Sequence, residues 1–179
     1  MKRRHFIGAM ALGTGGLAIG WSVWPARQRL MPSTPLPAIA SQPAFNGWVR
    51  IGEDDRITVV IARSEMGQGS HTGLAMLLAD ELDARWDQVQ IEQAPMDDIY
   101  NNQSVAVDGL PFHPDDDGLI KHQVERLTTK AVRRIGVMVT GGSTSIKDLW
   151  DPLREAGAMT RATLLAAAVR AWELPDADG

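Results

Sequence analysis

After residue 46 the apolar positions change period several times, and each change predicts a new element. The segment GWVRIGEDDRITVVIAR, residues 47–63, holds two β-type runs around Glu53-Asp54-Asp55, the pattern of a hairpin. Its second run, Arg56 to Arg63, is β-branched and short enough to be one strand. From Thr72 to Ala84 the spacing turns helical, with Leu74, Leu77, Leu78 and Leu82 on one face and Ala75 and Met76 filling in. VQIEQAP, from Val89 to Pro95, predicts a further strand. Met96 to Gly118 is polar and rich in turn formers, which predicts a surface loop. Leu119 to Gly136 places Ile120, Val124, Leu127, Ala131 and Ile135 on one helical face, with basic residues opposite. A glycine turn, VTGGSTSIKDLW, then leads into an Ala-rich helix that runs to about Trp172. Pro152 leaves two starts open for that helix: a fresh one with Asp151 as cap, or an earlier turn from Ser145 that bends at the proline. The pattern predicts an α+β body, a mixed sheet with helices packed against it.

Upstream of that body the chain changes character. Residues 1–29 read as a leader: a basic head of Lys2, Arg3 and Arg4, then uncharged residues from Phe6 to Trp24. The pair Arg3-Arg4 followed by Phe6 and Ile7, with glycines diluting the apolar run, resembles the twin-arginine pattern and predicts export to the periplasm by that route. A membrane anchor at the periplasmic face is the alternative, since the run nearly spans a bilayer. A candidate cleavage site is Ala38-Ile39-Ala40. Residues 30–46, rich in Pro and Ser, predict a linker, with the folded domain over 47–179. The leader carries five of the 18 basic side chains and no acid, which leaves 13 basic against 22 acidic residues, a net of −9. That sign argues against nucleic acid as a partner. No cysteine is present, so this chain offers no disulfide, thiolate zinc site or iron–sulfur ligation.

Candidate chemistry concentrates in two glycine loops. In MGQG, Gly67 and Gly69 permit positive φ or close approach of a ligand to backbone, and Ser70 or Thr72 can cap the following helix. In TGGSTS, Gly141 and Gly142 make the turn; Ser143, Thr144 and Ser145 offer hydroxyls, and Ser145 with Asp148 fits a capping box. Free N–H groups and hydroxyls at a helix start suit phosphate, whereas the amide of Gln68 suits an oxo group or a heterocycle edge. A glycine turn before a helix is also ordinary structure. A dinucleotide fold competes, with Glu92 as its acid, but Gly73 falls one place late for the third glycine and the preceding strand belongs to a hairpin. No Gly-Lys-Ser or Gly-Lys-Thr follows either loop, which excludes a P-loop. His71, His113 and His122 lack zinc-site spacing, and Asp115-Asp116-Asp117 lacks the alternation of a calcium loop.

EMGQGSHTGLAMLLADEL, VQIEQAP and GGSTSIKDLWDPLREAGAMTRATLLAAA together resemble the molybdopterin-binding large subunit of the xanthine dehydrogenase and aldehyde oxidase family, in its isoquinoline 1-oxidoreductase β-subunit branch. The resemblance covers most of Gly47 to Leu174 and thins across Asn102 to Arg134. It implies a molybdenum-pterin dinucleotide, molybdopterin cytosine dinucleotide, with Gly67, Gln68 and Gly69 near the metal end and Gly142, Ser143, Thr144 and Ser145 on the dinucleotide. The implied reaction is hydroxylation of aldehydes or N-heterocycles with water as oxygen source. The implied partners are a separate small subunit carrying iron–sulfur clusters and the remainder of the large subunit. The family's catalytic glutamate has no counterpart here. Glu65 beside MGQG reads as a loop or cap residue, so this chain is expected to be an N-terminal portion, inactive alone.

Overall fold

The computed structural model describes residues 28–37, 39, 41–113, 115–135 and 137–172. The leader's first 27 residues, and two of the three residues of the candidate cleavage site, lie outside that set. Three strands form a mixed sheet in the order β1 (Val49–Ile51), β2 (Ile57–Ile61), β3 (Val89–Gln93). β1 pairs antiparallel with β2, Val49 facing Val59. The hairpin turn closes through Gly52 N–H to the Arg56 carbonyl at 2.8 Å, with Asp55 at φ 62°. β2 is buried along its whole length, as its unbroken ITVVI run requires of a central strand.

β2 also pairs parallel with β3, Ile57 facing Val89, and the crossover between them is helix α1 (Ser70–Leu82). The strand before MGQG therefore serves two units at once. The hairpin that argued against a parallel unit is real, but it does not prevent one. Glu92, the acid of the competing dinucleotide reading, pairs instead with the buried Arg50 guanidinium.

Helix α1 ends at Asp83, φ 60°, whose N–H returns to the Ala79 and Asp80 carbonyls. Leu74, Leu78 and Leu82 face the core as their spacing predicts. The short helix α2 (Ser104–Val107) and the long helices α3 (Leu119–Ile135) and α4 (Ser145–Ala171) follow. α1 and α4 run parallel. Gly73 faces Ile146 near their N-termini, Arg154 pairs with Glu81, and Arg161 reaches Asp83 near the far end. They meet most closely at Gly157, where a Cβ would stand 2.5 Å from the Leu78 carbonyl oxygen. Between sheet and helices, Trp48, Val59, Ile61, Leu74, Leu78, Tyr100, Leu149 and Leu153 are fully enclosed. Each large apolar side chain so buried contributes about 1.5–3 kcal/mol before entropy is counted.

Residues 30–46 pack against the body instead of forming a free linker, and Arg29 packs with them. The Arg29 guanidinium is buried and donates to the carbonyls of Ile99 and Asn101 at 2.7 Å each, and to Asp148. Leu30 and Leu36 join the core, the Leu30 carbonyl accepts from Gly47 N–H at 2.7 Å, and Ala44 bridges to Arg50. The middle segment is not simply a surface loop: Ile99, Tyr100, Asn101 and Asn102 are buried, Tyr100 edge-on to Trp48 with ring centroids 4.9 Å apart.

Helix α4 begins at Ser145 and keeps Pro152 inside it. A proline there leaves the carbonyl four residues back without its helical donor. That carbonyl is Asp148's, and Arg29 Nη1 donates to it at 3.1 Å. The capping box does not form either, because the Asp148 side chain is turned inward to two arginines. Helix α3 is amphipathic as predicted, yet none of its described residues is buried, and Leu119, Ile120 and Ile135 stand exposed.

Candidate functional site

The MGQG loop sits where β2 ends and α1 begins. Gly67 and Gly69 take φ 91° and 74°, the left-handed region in which only glycine is unstrained, which accounts for both positions. With N–H groups turned inward, the loop wraps the carboxylate of Glu65. Oε1 accepts from Gly67 N–H at 2.8 Å and Gly69 N–H at 2.9 Å, and Oε2 accepts from His71 N–H at 2.9 Å. These donors hold the Glu65 pKa down at about 2, His71 N–H contributing most and Gly69 next.

Gln68 turns back on its own loop. Its amide NH2 donates to the Ser64 carbonyl at 2.8 Å and to Ser70 Oγ at 2.9 Å, and its Oε1 accepts from Met66 N–H. The His71 ring Nε2 lies 2.7 Å from the Arg63 carbonyl, an acceptor only, so that nitrogen carries the proton.

The second loop lies beside the first. Thr140 Oγ1 accepts from Ser64 N–H at 2.8 Å, tying the two together, and the neighbouring starts of α1 and α4 are in contact through Gly73 and Ile146. Gly142 and Ser143 take φ 62° and 55° and are exposed; Ser145 is half-buried. Thr144 differs. It is buried, accepting from Asn102 Nδ2 at 2.7 Å and donating to the Gly141 carbonyl at 2.8 Å, so its hydroxyl shapes the loop from behind. All seven sequence-predicted residues thus lie in adjacent loops at the N-termini of two parallel helices, whose positive ends add there.

Residues not singled out as site residues by the sequence support this face from beneath. Asn102 binds the second loop at both Thr144 and the Val139 carbonyl, 3.0 Å. Asp148 Oδ2 accepts from Arg29 at 3.0 Å and from Arg63, while Oδ1 accepts from the N–H groups of Gln103 and Ser104 at 2.7 and 2.9 Å. Burial pushes the Arg63 guanidinium down to about 10 against the pull of Asp148. The only local signal for this hub is an acid in the first turn of a helix, which ordinarily means a cap.

Two glycine loops thus lie side by side at helix starts, the first of them within the βαβ unit. A family model of the molybdopterin cofactor-binding domain matches residues 2–108, more than half of the chain, and the chain belongs to that family. The match includes Gly67, Gln68 and Gly69 and ends before the second loop. Among relatives, isoquinoline 1-oxidoreductase subunit beta of Brevundimonas diminuta is 31% identical over 176 residues, 98% of this chain and 18% of that protein. The membrane-bound aldehyde dehydrogenase [pyrroloquinoline-quinone] of Gluconacetobacter polyoxogenes is 32% identical over 172 residues, 95% of this chain and 17% of that protein. The chain therefore spans less than a fifth of the length of these relatives.

Proposed function

We propose that this chain is the N-terminal part of the molybdopterin-binding subunit of a molybdenum hydroxylase that oxidises aldehydes or N-heterocycles. The observation that carries the reading is the junction of the MGQG and TGGSTS loops on one face. The residues present fit a pterin cofactor. At Gly67 and Gly69 nothing stands within 4 Å of where a Cβ would be, so a flat ligand can approach the backbone edge. Gly142 and Ser143, exposed beside two helix starts, suit the phosphates of the dinucleotide form. The bound group would supply the metal centre at which oxygen from water is transferred to substrate. This chain's share is to seat that group, with Gly67 and Gly69 giving close approach and Gln68 bracing the loop.

In this reading the iron–sulfur clusters sit on a separate small subunit; this chain has no cysteine to ligate one. The Arg3-Arg4 leader supports export of the folded, cofactor-loaded protein to the periplasm, with anchoring at the inner membrane as the other use of the same segment. The catalytic base belongs to the remaining length of the large subunit, because Glu65 is already engaged within its loop. That same observation favours the second reading, a non-catalytic exported remnant.

The test is the molybdenum and pterin content of the protein purified from its own host together with whatever chain follows Gly179. The expected result is both in near-stoichiometric amounts, and oxygen from labelled water in the product of aldehyde or N-heterocycle oxidation. Protein lacking molybdenum and pterin in a host that makes the cofactor would overturn the reading.

A further inference from the structure

We infer that Glu65 is the resident anion of the MGQG loop: a positioning residue that fills the loop's amide nest and leaves the loop to meet its ligand through neutral backbone edges rather than by gripping phosphate. The inference rests on the cofactor reading above and refines it. A Gly-x-Gly turn at a helix start is ordinarily taken as an anion receptor, because its N–H groups converge on one point. Here they do converge, and the point is the chain's own carboxylate. Gly67 and Gly69 donate to one oxygen, and His71 to the other, with Ser70 Oγ 3.4 Å from that second oxygen. A phosphate entering the same nest would have to displace an anion that is tethered in place, or share donors with a like charge.

Two further braces hold the arrangement. Gln68 bonds backbone or side chain on both sides of the nest, at Ser64, Met66 and Ser70, and the His71 ring donates to the Arg63 carbonyl. The outer edge of the loop, by contrast, has open space at both glycine Cα atoms. The loop therefore selects the flat, hydrogen-bonding part of a cofactor. The anionic part falls to the second loop, where no carboxylate accepts from Gly142 or Ser143 among the hydrogen bonds described.

The experiment uses the full chain labelled with 15N at glycine and histidine, wild type and Glu65→Ala, followed by amide spectra. In wild type, inorganic phosphate and acetate should leave the Gly67, Gly69 and His71 amide resonances in place. In Glu65→Ala all three should move upfield and lose exchange protection, and added acetate should restore them, a rescue that a merely bulky spacer would not show. Wild-type resonances that shift with phosphate, or variant resonances that stay put, would overturn the inference. If Glu65→Ala fails to fold, wild type alone decides: the Glu65 side-chain carboxyl and the three amides should titrate together, well below the other exposed carboxylates, and separate titrations overturn it. None of these readouts needs cofactor. Protein that carries molybdenum but fails here sinks only the role of Glu65; protein that passes here but carries none sinks only the cofactor reading.

Discussion

Removing the carboxylate of Asp148 should strongly destabilise the domain. In Asp148→Ala, the Arg29 and Arg63 guanidiniums keep their burial but lose their common counter-ion, and the Gln103 and Ser104 N–H groups lose their acceptor. Breaking a buried ion pair by deleting one partner costs about 3–5 kcal/mol, because the remaining charge stays desolvated. The two backbone donors left without Asp148 add little to this, because Gln103 and Ser104 are half-buried and water can replace the lost acceptor. A domain of this size holds only about 5–15 kcal/mol in all. With a urea slope of about 2 kcal/mol per molar, the midpoint should fall by roughly 2 M. Urea unfolding followed by tryptophan fluorescence suits the assay, because Trp48 is wholly enclosed and in cation–π contact with Arg29, 6.0 Å from ring centroid to guanidinium. Adding Arg63→Met to Asp148→Ala should recover part of the loss by removing one uncompensated charge. A single-variant loss below about 1 kcal/mol, the value of an exposed pair, would refute the claim that this hub is buried and joined.

Deleting residues 1–46, as a linker interpretation invites, should leave an insoluble or protease-sensitive product, whereas deleting 1–27 should not; limited proteolysis of the two truncations distinguishes them. Gly157→Ala should destabilise by about 1–3 kcal/mol through collision with the Leu78 carbonyl, outweighing the roughly 1 kcal/mol gained in helix propensity, and thermal unfolding measures the balance. The depressed Glu65 pKa means that its contribution to loop order is full above the ordinary value of 4.5 and is lost as pH falls from there through about 2. Exchange protection at His71 N–H should track that window.

Local sequence determined the parts whose causes are local. The unbroken apolar and β-branched run from Ile57 to Ile61 makes a strand that can only be central, buried on both faces. Leu74, Leu78 and Leu82 recur at helical spacing and face the core wherever the helix is placed. Gly67, Gly69 and Gly142 mark positive φ by residue type alone, so both loops were legible along with the mixed sheet. Tertiary structure alone decided which charges are buried. Arg29 looks like one more cation in a basic leader, yet it reaches 119 residues ahead to Asp148 and replaces the donor that Pro152 removed from α4. Tyr100, Asn101 and Asn102 lie in a stretch with no period, and their burial follows from the space left between Trp48, α3 and the second loop. Likewise, glycine spacing announces an amide nest but cannot say what fills it. That depends on whether a side chain two residues upstream folds back, a choice made by the geometry of Glu65, Gln68 and His71 together.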